Sequence, residues 1–259
     1  MIAPAKAHIY PENLPNKILR MGSRLNKQAR IDQLLDYMQR NSEVPVVDLR
    51  AVLKHQKIQE QRPLYYRTDF HWNQIGAFYA YQAIVDAINS SYPQSNLQRP
   101  TLSEFEVKRA DDWVSLQVMN MVGLDPYQQK NETYFTLEPK IQSGLSLPSD
   151  KKETSNIKVK RIENEDVDFP IVQFLNQSAP ERTIFVIGDS FIESAAKFFS
   201  KHARKVWNFR AIMEFSREPY KDEKPDIVVQ SIHNMYLLQP PPINEKALKQ
   251  ARLDALSPK

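Results

Sequence analysis

The chain contains no cysteine. That excludes disulfide frameworks, thiol nucleophiles and cysteine-based zinc sites. It does not identify a compartment, since an oxidising periplasm and a reducing cytoplasm both accept such a protein. Glycine is also scarce, 5 residues against 18 prolines in 259. This argues against a glycine-rich dinucleotide or phosphate loop as the functional core. No stretch approaches the roughly 18 apolar residues that a membrane-spanning helix needs. The first residues, Met1-Ile2-Ala3-Pro4-Ala5-Lys6, lack the apolar run of a secretory signal peptide. No internal repeat is present.

Charge of one sign is in short supply too. The formal net charge is +4, and the basic residues are scattered, so the field only mildly favours an anionic partner such as an acidic polysaccharide. No basic stripe interleaves with aromatics, which argues against nucleic acid as a partner. The densest basic stretch, residues 151–161, is largely cancelled by Glu163, Glu165, Asp166 and Asp168 and reads as a solvated loop. The five histidines (His8, His55, His71, His202 and His233) form no i, i+4 pair enclosing a carboxylate. No metal site and no cofactor are predicted.

What remains is an ordinary globular composition, 41% hydrophobic and 25% charged, long enough for one large α/β domain with a proper core. Residues 22–40 place Leu25, Ala29, Ile31, Leu34, Leu35 and Met38 on one helical face, with Ser23 as a cap. Residues 44–49 read as a short buried strand, and 51–59 as a helix. An extended segment at 65–70 runs into a helix from about Gln74 to Asn89. Residues 101–180 carry mixed short signals, and 146–168 reads as an insertion or mobile loop. The run Thr183-Ile184-Phe185-Val186-Ile187 is a buried strand of the kind covered on both faces. A helix at 191–201, a strand at 205–209, a helical stretch around 211–215 and a strand at 226–230 follow. Strands alternating with helices predict an α/β layered fold with a mostly parallel sheet. The expected organisation is a single domain over 1–259 with an insertion within 101–180.

Two segments carry candidate chemistry. In Ile187-Gly188-Asp189-Ser190-Phe191, the serine sits where a buried strand turns into a helix, the place where sites form in open α/β sheets. Gly188 would permit a tight bend, and amides at the helix start suit a developing oxyanion. Ser190-Phe191-Ile192-Glu193 also matches the S-x-x-E capping box, in which the hydroxyl merely accepts from a backbone amide. Local sequence favours the cap. In Thr68-Asp69-Phe70-His71-Trp72-Asn73, side chains two apart in an extended segment lie roughly 7 Å apart on one side. Asp69 then reaches Nδ1 of His71 and leaves Nε2 for a hydroxyl, the orienter and base that a serine nucleophile requires. Phe70 points the other way, into the core. The alternative is that Asp69 or Asn73 caps the following helix while His71 is a partly buried surface residue. His233, beyond the last strand, is a competing base without a carboxylate close in sequence. Tyr65, Tyr66, Arg67 and His202 are candidate substrate contacts.

Taken together these segments resemble the SGNH-hydrolase-like domain of the alginate O-acetyltransferase proteins, the AlgX and AlgJ group. Four stretches carry the likeness: A-P-A-K-A-H-I-Y-P-E-N-L-P at 3–15, V-V-D-L at 46–49, L-Y-Y-R-T-D-F-H-W-N at 64–73 with Gly76 and Ala77, and V-I-G-D-S-F at 186–191. Their order is circularly permuted relative to ordinary SGNH esterases, which place the G-D-S block first. The resemblance implies a flavodoxin-like three-layer sandwich and a catalytic triad on Ser190, His71 and Asp69. Asn73, Gly188, Tyr65 and Arg67 are the candidate substrate or oxyanion contacts around that triad. The resemblance further implies periplasmic acetyl transfer to an exported polysaccharide, with a membrane-bound O-acyltransferase partner supplying the acetyl group. A carbohydrate acetylesterase would use the same residues, and a non-catalytic polysaccharide-binding or assembly protein would keep the fold. Relatives usually carry Thr where Phe70 stands, and begin earlier, with an export segment and a strand leading into the Pro-x-Lys motif; that absence implies a shortened strand and leaves a truncated, inactive product as a third reading.

Overall fold

The computed structural model describes residues 1–24, 28–110, 133–140, 157–162, 171–210 and 222–238. Chain order begins with a short strand β1 (Ile2–Ala3), then α1 (Lys6–Ile9), α2 (Asn16–Arg24), α3 (Arg30–Asn41), α4 (Leu49–Gln59) and α5 (Gln74–Ser91). Next come β2 (Phe105–Ala110), β3 (Tyr134–Pro139), β4 (Ile157–Ile162), β5 (Ile171–Asn176), β6 (Thr183–Gly188) and α6 (Ser190–Ala196). The chain closes on β7 (Lys205–Arg210), β8 (Ile227–Gln230) and β9 (Ile232–His233). The expected helical stretch at 211–215 lies outside the described residues.

The main sheet has the order β4-β5-β7-β6-β8. Its β7-β6-β8 half is parallel, whereas β5 runs antiparallel to β7 and β4 antiparallel to β5. Among the described residues the expected parallel character thus holds for the β7-β6-β8 half, and the sheet as a whole is mixed. The antiparallel half comes from a region read as loop: Ile157–Ile162, inside the charge-rich stretch, is an edge strand. Its Ile157-Lys158-Val159-Lys160 alternation has the strand period of two, and lysines on an edge discourage pairing with another chain. The rest of 146–168 lies outside the described residues.

Side-chain alternation puts apolar residues on both faces. Ile184, Val186 and Val206 belong to the large core cluster with α5 and α6, while Phe185, Trp207, Phe209 and Ile171 form a second cluster. This is the strand covered on two sides that the uninterrupted 183–187 run predicts. The V-V-D-L stretch forms only a bridge, Ile2 to Asp48. Asp48 turns instead to cap α4, accepting from the Arg50 amide at 2.9 Å. Ser23 falls inside α2, and α3 starts at Ala29 without a side-chain cap. Helix α5 is buried along almost its whole length, from Ile75 to Ile88. It carries the polypeptide from the 64–73 segment across the core.

Gly76 shows how tightly that segment is seated. A Cβ there would overlap the Leu64 carbonyl oxygen and lie 2.8 Å from Trp72 Cβ. Gly→Ala in a helix ordinarily gains about 1 kcal/mol. Here the sign reverses: Gly76→Ala is expected to cost about 1–3 kcal/mol, the penalty of overpacking. Urea unfolding measures it, and an unchanged or raised midpoint would show that the 64–72 segment yields freely.

Candidate active site

Two helix caps decide which side chains are left for chemistry. Asp189, not Ser190, is the N-cap of α6: its Oδ1 accepts from the Phe191 amide at 3.0 Å. Its Oδ2 accepts from the backbone N–H of His233, which fastens the helix start to β9. The capping-box reading of Ser190 is thereby displaced, and Glu193 turns to Arg210, 3.6 Å away. Asn73 likewise caps α5, accepting from Ile75 N and Gly76 N at 3.0 and 3.1 Å while its Nδ2 donates to the Pro63 carbonyl. Asp69 is thus not a cap. Burial raises the Asp189 pKa, an effect opposed by the amides of His233 and Phe191.

The 65–72 segment is not extended as its sequence suggests. It is a bent hairpin closed by a Tyr65–Trp72 bridge and by hydrogen bonds from Tyr66 N to His71 O and from Asn73 N to Leu64 O. Asp69 meets His71 by a different route from strand alternation. Its Oδ1 accepts both the His71 backbone N–H, at 2.9 Å, and the ring Nδ1–H, at 2.8 Å. That is a turn closed by an aspartate on the backbone two residues on. The carboxylate can only accept, so Nδ1 carries the ring proton and Nε2 is the acceptor. Nε2 lies 2.6 Å from the Ser190 Oγ, and the hydroxyl donates to it. Asp69 is 4% exposed, which keeps water from competing for the ring.

The two halves of this chain of hydrogen bonds are 119 positions apart, and a buried aromatic joint brings them together. The Trp72 indole N–H donates to the Phe191 carbonyl at 3.0 Å and to Ser194 Oγ at 2.8 Å. The Phe191 ring lies edge-on to Trp72 at 5.0 Å, beside His71 at 4.8 Å, and stacked on His233 at 4.2 Å. Trp72, Phe191 and Asp189 are site residues that sequence reasoning passed over. Their sequence signal is that each adjoins a polar candidate within the two stretches, 64–73 and 186–191, that carry the family resemblance. Phe70, expected to point into the core, is half-buried against it and stacks on the His71 ring at 4.2 Å.

The other candidate residues are placed as follows. Asn73 is 1% exposed and committed to capping, so it cannot face a substrate. Tyr65 is buried with its hydroxyl on the Pro4 carbonyl at 2.8 Å. Gly188 serves close approach rather than a bend: a Cβ there would lie 2.6 Å from the Ser231 carbonyl oxygen. His202 is buried against the Tyr81 hydroxyl. His233, the competing base, is 4% exposed, and its Nδ1 accepts from the Met235 amide at 3.4 Å. Arg67 is exposed and, with Lys6, Tyr10, Asn13, Tyr66 and Phe135, lines a groove of about 780 Å³ beside the hairpin. Among the described residues, no cluster of His, Asp and Glu is arranged to hold a metal ion.

A family model described as the SGNH hydrolase-like domain of the acetyltransferase AlgX matches residues 1–214. The chain belongs to this family. Solved structures place the AlgX-type domain among similar folds. A DHHW family protein from Eubacterium siraeum aligns with a TM-score of 0.64 at 15% identity, over 96% of this chain and 80% of its own. Bacillus cereus PatB1 follows at 0.61 and 17%, over 91% and 82%. The O-acetyltransferase domain of Pseudomonas putida AlgJ gives 0.54 and 15%, over 98% and 81%. At these identities the likeness is one of fold. No curated protein sequence matches the chain significantly. No described helix is long and apolar enough to cross a membrane.

The buried histidines make the AlgX-type domain acid-sensitive. Burial, reinforced by nearby positive groups, pushes both His202 and His233 down to about 4. The unfolded chain takes up those protons from about pH 6.5 downward, while the folded chain refuses them until near pH 4. Stability is therefore lost as pH falls through that window, by up to about 1.4 kcal/mol per pH unit for each histidine. Chemical denaturation of His202→Gln at several pH values should show a slope shallower by about that amount. An unchanged slope would mean that His202 titrates normally.

Proposed function

We propose that this chain is a polysaccharide O-acetyltransferase that works through an acetyl ester on Ser190. One observation carries the reading: a serine hydroxyl 2.6 Å from an imidazole whose other nitrogen is held at 2.8 Å by a buried carboxylate. Membership of an acetyltransferase family supports acetyl as the group transferred, and the AlgX and AlgJ resemblance supports an alginate-like acceptor.

In the first half-reaction His71 Nε2 takes the Ser190 proton as Oγ attacks the donor's acetyl carbonyl. Asp69 stabilises the imidazolium that forms, and the positive end of the α6 dipole faces the developing oxyanion. Collapse breaks the bond to the donor's leaving group, which takes the proton from His71, and leaves acetyl-Ser190. In the second half a sugar hydroxyl gives its proton to Nε2 and attacks the same carbonyl. The tetrahedral adduct expels Ser190 Oγ, which recovers its proton. The acetylated sugar departs and the site is restored. This reading places the protein outside the cytoplasm, beside a membrane-bound O-acyltransferase that delivers the acetyl group.

Ser190→Ala is expected to lower hydrolysis of p-nitrophenyl acetate by at least about a thousandfold, and His71→Ala by a similar factor, because members of a triad act as a unit. Ser190 caps nothing, so the serine variant should stay within about 1 kcal/mol of the parent in stability. Full activity in Ser190→Ala would end the nucleophile assignment. Mass spectrometry of an oligouronate incubated with donor then separates transfer from plain hydrolysis.

A further inference from the structure

The Ala3–Pro15 stretch is one of the four that carry the family resemblance, yet the proposed mechanism makes no use of it. The structure shows where its lysine goes. From α1, Lys6 Nζ donates to the carbonyl oxygens of Tyr66 at 2.6 Å, Arg67 at 2.8 Å and Asp69 at 3.3 Å. Three carbonyl dipoles converging on one point repel each other unless a cation sits there, and an ammonium offers three donors and one charge. The same segment holds the hairpin on either side of this point. The Tyr65 hydroxyl donates to the Pro4 carbonyl, and the Tyr10 hydroxyl accepts from the Leu64 amide at 3.0 Å. The segment is itself anchored by strand pairing, since Ile2 and Ala3 of β1 pair in parallel with Ile232 and His233 of β9.

We infer that Lys6 is a positioning residue for catalysis: its ammonium shapes the 66–69 turn so that the Asp69 carboxylate stays on the His71 ring. The inference rests on the proposed Ser190 mechanism. Strand-like pairing closes the base of the hairpin, through the Tyr65–Trp72 bridge and the bonds from Tyr66 N to His71 O and from Asn73 N to Leu64 O, and the Lys6 contacts lie beyond it at the 66–69 turn. Carbonyls drawn inward onto Nζ fix the 66–67, 67–68 and 69–70 peptide planes, and the last of these contains Cα of Asp69. Loss of the ammonium lets the planes rotate and the carboxylate drift. Substrate contacts remain, so the effect falls on the chemical step. Displacements of the order of 1 Å in a base or its orienter are known to cost up to about a hundredfold in rate.

The test compares Lys6→Met with the parent in p-nitrophenyl acetate hydrolysis and in proton NMR. Expected are a fall in kcat of at least about tenfold, KM within about twofold, and loss of the far-downfield resonance of the His71 Nδ1 proton. Lys6→Arg, which keeps charge and donors, should recover most of both signals. Lys6→Gln, which retains length and one donor, should lie between and covers the case in which the methionine variant does not fold. The NMR signal is also read in Ser190→Ala, where hydrolysis is abolished. It therefore reports on the turn even if Ser190 proves not to be the nucleophile. Parent-like kcat and an unchanged proton resonance in Lys6→Met or Lys6→Gln would overturn the assignment, as would an effect confined to KM or to melting temperature.

Discussion

The candidate site exists because Trp72 is buried against the first turn of α6. Its indole N–H reaches the Phe191 carbonyl and the Ser194 hydroxyl, and its ring meets the Phe191 ring edge-on. A hydrogen bond such as that between Ser190 and His71 contributes a net of about 1 kcal/mol. That is too little to hold together two segments separated by more than a hundred residues. Burying Trp72 and Phe191 contributes roughly 1.5–3 kcal/mol each, and an aromatic pair adds about 0.5–1.5. The core therefore sets the Ser190–His71 distance, and the hydroxyl and imidazole meet because their chain neighbours are packed.

Helix capping then divides the labour among the polar residues. Each of the two site helices starts with an acidic or amide side chain whose oxygen is spent on backbone amides, Asn73 for α5 and Asp189 for α6. These caps relieve Asp69 and Ser190 of the structural duty their sequence contexts suggest. Asp189 does more than cap, because its second oxygen holds the His233 amide and so ties the start of α6 to β9. His233 in turn supplies a neutral ring surface for Phe191.

The strand, serine and helix at 183–196 were legible because an uninterrupted apolar run ending at a glycine has few other interpretations. The order of His71 and Asp69 was legible for a partly mistaken reason. Their spacing suggested strand alternation, whereas a turn closed by Asp69 on the His71 backbone makes the same contact. Local spacing fixes reach but not backbone conformation. The engagements of the Asn73 side chain with the α5 start and of the Tyr65 hydroxyl with Pro4 were not legible, because residue type says what a group can do, while burial decides whether it faces solvent or its own backbone. Lysines along residues 157–162 disguised an edge strand, since solvated loops and protected sheet edges favour the same charges.

Topology explains why the serine falls where it does. Strand β6 has parallel neighbours on both sides, β7 and β8. The chain leaves β6 through α6 to pair with β7 on one side, and later returns to pair with β8 on the other. Such a reversal opens a crevice at the carboxyl end of β6, the general location of sites in open α/β sheets. Ser190 stands at that end, two residues past Gly188, and the close approach of Ser231 to Gly188 brings β8 against it. The hairpin with Asp69 and His71 reaches the crevice from the helical layer by way of α5. Its place in the chain order, before the serine instead of after it, is immaterial to this geometry. Any connection that lets the Trp72 joint form presents the same imidazole to the same hydroxyl.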